Sequence, residues 1–508
     1  MAFNYLQRTN RIAPDRNLTV GIGLMALAVI ATGLATAILG GLLDTFQYSF
    51  LLPWIIGLGC VMAAPMVILY YRGELSLANP LVFATASYLA PAFVVGGLFL
   101  AGGLSTPYLL TFIQDPQVDL PFTVVLVGIG HIGLSLGYFF SLGPKIGSFI
   151  ARNLPIADYP SDALVFPGLL LLGLGVANTV FAFMIGLLGY QISTESSTYD
   201  GLIFLSTLWR SEASFLLWLL IFRQQKLTTF WRVIATVLVA INVGMALFAG
   251  NRGSLAGAFI AGVLAFVLTG RKLNARQGVF ATVTLAACLL VGIVYGTTFR
   301  NIKGTEAQQS IEQYSDTVVR TFETVGSNGG LGDAGIMVQN FAERIDALSS
   351  VAVVVSNYEQ LRPFEEGYGL DNNIYKDTVT FLIPRALWPE KPVASHARLY
   401  SALYFDFGES SFTITPMGDL LRNYGVIGVP IGMFLLGFLV RIIYRALVED
   451  QPKIVWRCVF YFMLLTSISY ESFYGLILPN LFRTGVSAAI GVALVLFLAH
   501  IVKLRSNQ

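Results

Sequence analysis

Apolar runs recur from one end of the chain to the other, and no other feature limits the fold so severely. A run of about 20 such residues is long enough to cross a hydrocarbon core of about 30 Å as a helix. Inside lipid every backbone N–H and C=O has to be bonded within the chain, so segments of this kind enter as helices. The composition agrees: of 508 residues, 55% are hydrophobic and only 12% charged, where a soluble domain carries about a quarter charged residues. The runs near 20–43, 51–71, 80–103, 121–142, 164–189, 203–222, 230–249, 254–270, 278–299, 424–447, 454–470 and 481–502 predict an all-α polytopic membrane protein of about 12 transmembrane helices. The run at 203–222 is the least typical, because it contains Arg210 and Glu212. The run at 20–43 follows Arg8, Arg11 and Arg16, is too long for a signal-peptide core, and has no small-residue cleavage site. It reads as a retained first span.

The cations support this map. With the N-terminus inside, Arg72, Lys145, Arg152, Arg223, Lys226, Arg232, Arg271, Arg441, Arg445 and Lys503 all fall in cytoplasmic segments. The opposite short loops near 44–50, 104–120, 190–202 and 471–480 have no Lys or Arg. That bias places both termini in the cytoplasm and gives an even number of crossings. Residues 1–299 then form a membrane bundle of about nine helices, 300–423 a large external loop and 424–508 about three more helices, in one integrated unit. The loop is far longer than an ordinary connection, which marks it as functional or disordered. Its stretch "GIMVQNFAERIDALSSVAVVVSNYEQL" has helical apolar spacing, whereas "GTEAQQSIEQYSD" through "GSNGGLGD" reads as the more mobile part.

A net charge of +2 gives no reason to expect nucleic acid. Cys60, Cys288 and Cys458 sit in apolar runs without a CxxC pair, and the three histidines are scattered, so neither disulfides nor zinc are expected. No phosphate loop, GxSxG or HExxH is present. The outer turn "AGNRGS" carries Arg252 just before a helix start, where cation and helix N-terminus can face one anion. In the loop, "FLIPRALWPEKPVASHARLY" groups Arg385, Glu390, Lys391, His396 and Arg398 around prolines that prevent continuous helix. Arg385 can grip phosphate bidentately, Lys391 supplies a point charge, and Trp388 offers a flat face to a sugar ring or the membrane interface. Further on, "TPMGDLLRNYGVIG" sets Asp419 and Arg422 at i and i+3 on one helix face. Glu471 lies just outside one span and Arg483 near the start of the next, a spacing that suits an interhelical ion pair.

The segments "AGNRGSLAGAF", "ERIDAL", "IPRALWPEKP" and "GDLLRNYGVIGV", in this order and topology, resemble the bacterial oligosaccharide repeat-unit polymerases, the Wzy-type O-antigen polymerases. The resemblance is detailed over about 250–440 and architectural elsewhere. It implies a GT-C-like enzyme of the bacterial cytoplasmic (inner) membrane with its large loop periplasmic. Such an enzyme moves a glycan from undecaprenyl pyrophosphate onto a second lipid-linked repeat unit, without metal or cofactor. Its partners would be undecaprenyl-pyrophosphate-linked oligosaccharides and membrane lipid, with a chain-length regulator and a flippase alongside. Pyrophosphate departure develops negative charge that preplaced cations stabilise. Arg252, Arg385, Lys391 and Arg422 are the expected clamp, with Arg344 and Arg398 behind them. His396, Asp419 and Glu471 are the candidate bases, since an acceptor hydroxyl needs one within hydrogen-bond reach. The chain lacks the Arg-x10-Gly repeat described for some members. An O-antigen ligase, with the same donor and a different acceptor, and a lipid-linked oligosaccharide flippase are the alternative expectations.

Overall fold

A computed structural model of the chain describes residues 47–156, 158–188, 199–250, 253–271, 274–304, 311–327, 334–383, 387–388, 390–391, 395–408 and 411–506. The run at 20–43 lies outside them. The described residues form helices and no strand: α1 (Leu52–Tyr71), α2 (Pro80–Ala101), α3 (Pro116–Phe139), α4 (Leu142–Asn153), α5 (Ser161–Met184), α6 (Asp200–Arg223), α7 (Thr229–Ala249), α8 (Ser254–Leu268) and α9 (Ala275–Lys303) come first. Then follow α10 (Ile311–Ser327), α11 (Ala334–Ile345), α12 (Leu348–Glu365), α13 (Asn373–Thr380), α14 (Ala397–Phe405), α15 (Thr415–Leu447), α16 (Val455–Ser467) and α17 (Ile477–Ser506). Among the described residues nine helices are long and apolar enough to cross a membrane, so this is a multi-pass, all-α membrane protein. The runs expected at 254–270 and 454–470 are the shorter helices α8 and α16.

The bundle centres on α3 and α15, which lie backbone to backbone. Glycines make this approach possible: a Cβ on Gly133 would meet the Pro430 backbone, one on Gly137 the Phe434 carbonyl, and one on Gly437 the Leu134 carbonyl. Without a hydrophobic drive between helices in lipid, small residues of this kind let dispersion and close packing hold two spans together.

The span α6 is continuous through Arg210 and Glu212, which point to different faces. Arg210 Nη1 donates to Asn242 Oδ1 of α7 at 3.3 Å. Glu212 is 1% exposed and packs against Gly491, where a Cβ would collide with its carboxylate.

The segment between α9 and α15 is a folded part of the molecule. Part of the stretch expected to be mobile is the helix α10. The predicted apolar periodicity becomes α11 and α12, separated at Asp346 and Ala347. Every side chain from Leu348 to Val354 is 2% exposed or less, packed between α3 and α15. Burying each valine or leucine is worth on the order of 2 kcal/mol relative to water, so α12 is pinned into the core.

The docking point is a local irregularity in α2. Its middle, Thr85–Val95, winds as a π-helix around Pro91, which has no N–H to give. The Ala92 carbonyl there accepts the N–H of Ala347 at 3.2 Å. One turn on, Gly96 lies so close to Asp346 that a Cβ would come 2.7 Å from the Asp346 Cα.

Candidate functional site

The sequence "TPMGDLLRNYG" starts α15 nine residues before the expected span, and the extra turns are buried protein rather than membrane helix. Thr415 opens it with φ +62°, a costly conformation for a β-branched residue. Its N–H donates to the Glu471 carbonyl at 3.3 Å. Gly425, at φ +69° and ψ −169°, then breaks the helix direction. All side chains from Thr415 to Arg422 are buried between these two points.

That short buried stretch carries the densest polar network among the described residues. Asp419 is fully buried and accepts from Arg422 Nη2 at 2.9 Å, Asn373 Nδ2 at 3.1 Å, Asn423 Nδ2 at 3.2 Å and the Gly475 N–H at 3.1 Å. Arg422 has a second carboxylate, Glu365 of α12, at 3.0 Å. It also donates to the Leu370 carbonyl at 3.0 Å and to Asn373 Oδ1 at 2.6 Å, and lies 6.0 Å over the Phe473 ring. Tyr404 of α14 donates to Glu365 at 2.9 Å. Asn373 Nδ2 also reaches Ser395 Oγ at 2.9 Å, and Ser395 in turn donates to Asp377. One guanidinium therefore faces two buried carboxylates, Glu365 and Asp419, and Asp377 joins them through Ser395 and Asn373. Burial pushes the Glu365 carboxyl up, against the pull of Arg422. Burial, reinforced by the charge of Asp419, raises Asp377 to about 6, while the Ser395 hydrogen bond and Arg483 pull it down.

A second, solvent-facing group adjoins it through the same connection between α16 and α17. Arg344, at the end of α11, pairs with Glu471 at 3.1 Å, and Thr413 Oγ1 donates to the same carboxylate at 3.2 Å. Ser350 of the buried α12 donates to the Thr413 carbonyl. Glu471 thus holds the start of α15 by its main chain and Arg344 by its side chain, four residues before Gly475 binds Asp419.

The expected site residues therefore separate into groups. Asp419 and Arg422 are in the buried network, and Arg344 and Glu471 form the exposed pair. The partner expected for Glu471 was Arg483; the structure gives it Arg344, and Arg483 is exposed on α17 and acts on Asp377. Lys391 is 8% exposed, with its ammonium on the Ile383 carbonyl at 2.9 Å. Trp388 is open to solvent, and the Lys391 N–H donates to its carbonyl at 3.0 Å. His396 is the N-cap of α14, beside Ser395, with a buried Nδ1 that has no hydrogen-bond partner. Arg398 is half-buried on the first turn of that helix. Arg252 and Arg385 lie outside the described residues. Missing from the sequence reading were Glu365, Asn373, Asp377, Ser395 and Tyr404, the residues that complete the network.

A family model described as a domain of unknown function, DUF8712, matches residues 174–448, just over half of the chain. The chain belongs to the DUF8712 family. The DUF8712 match takes in Arg344, Glu365, Asn373, Asp377, Ser395, Asp419 and Arg422, and ends before Glu471 and Gly475. No curated protein and no solved structure matches the chain.

The geometry assigns different capacities to the two groups. In the buried network of this DUF8712 chain, Asp419 has its oxygens occupied by four donors and Arg422 spends its terminal N–H groups on protein acceptors. Both hold the α12–α13 region to the start of α15. The exposed group offers a guanidinium, a carboxylate and a hydroxyl on one face, which is a polar surface able to receive a ligand.

Proposed function

We propose that this chain polymerises undecaprenyl-pyrophosphate-linked oligosaccharide repeat units by glycosyl transfer on the outer face of the cytoplasmic membrane. The single observation that carries the reading is the convergence of Arg344, Thr413 and Glu471 with the Asp419–Arg422 network at the start of α15. That convergence sets cations and carboxylates beside the ends of apolar spans, where the charged head of a lipid-linked donor would lie. In this reading the chain crosses the membrane twelve times, counting 20–43, α8 and α16, with a GT-C-like plan, both ends cytoplasmic and the 300–423 segment outside.

Arg344 is the accessible cation for the departing pyrophosphate, joined by Arg252 and Arg385. Glu471 takes precedence over Asp419 as base, because Asp419 is saturated by donors; His396, with its unpartnered Nδ1, is the other candidate. Arg422 acts by positioning Asp419 and Glu365. Lys391 and Arg398 support the same region, and Trp388 offers its ring to a sugar.

A lipid-linked oligosaccharide flippase is the second reading, and the buried Glu212 and half-buried Arg210 of α6 are the observation on its side. An O-antigen ligase shares the donor and differs in acceptor. The test is reconstitution of the purified chain in liposomes with an undecaprenyl-pyrophosphate-linked repeat unit. Growth of the glycan supports the polymerase. Transfer only to a lipid-A-core acceptor, or movement across the bilayer without growth, overturns it in favour of the ligase or the flippase.

A further inference from the structure

At the end of the bundle opposite the candidate site, the turn between α6 and α7 and the end of α8 line a half-open cavity of about 570 Å³. Its inner wall is apolar: Ile221, Phe222 and Phe266, the two rings edge to face at 5.4 Å. Its rim is cationic, formed by Lys226 of the turn, Arg232 on the first turn of α7 and Arg271 just past α8. Among the described residues no Asp or Glu lines it. Arg271 spends one N–H on the Gln224 carbonyl at 2.6 Å, which fixes its direction and leaves the rest of its fork available. Lys226 and Arg232 are exposed, with no side-chain hydrogen bond or ion pair to the described residues.

Two other cations at this end have carboxylate partners. Arg441 is paired with Glu449 at 2.9 Å, and Arg445 with Glu449 and Asp450. Three uncompensated cations converging on one cavity cost repulsion unless an anion joins them. The cavity lies where α6 and α7, two of the apolar spans, end, which is the level of lipid headgroups. Two arginine forks and an ammonium match a phosphate, and the aromatic wall matches the glycerol and first methylenes below it.

We propose that this cavity binds the phosphate of an anionic phospholipid, with the lipid backbone against Phe222 and Phe266. The apolar wall distinguishes a lipid headgroup from free phosphate, which would leave it in water. The site is independent of the polymerase reading, lying at the other end of the spans.

Native mass spectrometry of the full chain in detergent provides the test, with phosphatidylglycerol, phosphatidylcholine and inorganic phosphate as probes. Phosphatidylglycerol is expected to stay bound where phosphatidylcholine does not. The double variant Lys226→Gln/Arg232→Gln is expected to lower its affinity about thirtyfold, from the attraction of juxtamembrane cations for anionic lipid. Arg276→Gln, an exposed cation outside the cavity, is expected to leave occupancy unchanged. Neither replaced side chain of the double variant makes a bond to the described residues, so the fold is retained; Arg271→Gln is a second variant, with a smaller expected loss of about fivefold for its single cation. Equal retention of the two lipids, equal loss in Arg276→Gln, or displacement of phosphatidylglycerol by millimolar inorganic phosphate overturns the proposal.

Discussion

Arg422 and Glu365, on different helices, meet at 3.0 Å with neither side chain appreciably exposed. The pair ties α12, the apolar helix pinned in the core, to the first turns of α15. Since Arg422 also holds Asp419, and Asp419 holds Gly475, one guanidinium sets the relative position of three parts of the chain.

Removing that guanidinium strands two buried carboxylates. Arg422→Ala is expected to destabilise the protein by about 3–5 kcal/mol, the range for breaking a buried ion pair by deleting one partner. Thermal unfolding in detergent measures it. A loss under about 1 kcal/mol would show that the network does not hold the fold.

The exposed pair behaves in the opposite way. Arg344→Ala and Glu471→Ala each remove a half-exposed partner, so stability changes by at most about 1 kcal/mol. If this pair meets the lipid-linked donor, either variant shortens the polysaccharide in cells while protein level is unchanged. Full-length polymer in both variants would remove these two residues from the proposed chemistry.

Gly96 tests how the outer segment is docked. Gly96→Ala places a methyl 2.7 Å from the Asp346 Cα, a backbone atom that cannot swing aside. The expected cost is about 1–3 kcal/mol, the usual price of overpacking, with faster limited proteolysis in 334–383. Gly57→Ala, at a helix position with nothing within 4 Å, serves as the neutral control.

Asp377 predicts a pH dependence. Its carboxyl is raised to about 6 from a usual 3.8, so between those values the native state keeps a proton that the unfolded chain has released. Stability therefore falls as pH rises from about 4 to about 6 and levels off above. Asp346, also raised to about 6 by burial, adds a slope of its own. Asp377→Asn is expected to reduce the fall in unfolding midpoints measured across that window, leaving the part due to Asp346 and the raised Glu365. An unchanged slope would exclude Asp377 as a source.

Much of the bundle was legible in the sequence, because lipid demands long apolar helices and the chain provides them in plain view. Asp419 and Arg422 were legible as a pair for a similar reason: i and i+3 on a helix is a local geometry, and the structure gives 2.9 Å between them. Glu365, Asn373, Asp377 and Ser395 were not. Each is an ordinary polar residue in an ordinary polar stretch, and only long-range folding of α12–α14 onto α15 brings them together. Arg422 looked available to a pyrophosphate because its second carboxylate, Glu365, comes from a helix that no local spacing connects to it. The helix break at Gly425 hid the same region, since it moved the start of α15 ahead of the apolar run.

The helices α8 and α16 have 15 and 13 residues, lengths of roughly 20–23 Å at 1.5 Å per residue. Both pack against α6. Neither reaches across hydrocarbon of ordinary thickness, so if both cross, as the proposed twelve-span reading has it, the bilayer would thin around them. Arg210 and Glu212 sit on α6 beside them. Headgroups and water would then come closer to these two side chains than in a flat bilayer, which would ease polar groups at that depth. Thickness of the host membrane then becomes a variable of the protein: longer acyl chains would strain the α6 neighbourhood first and leave the α3–α15 core untouched.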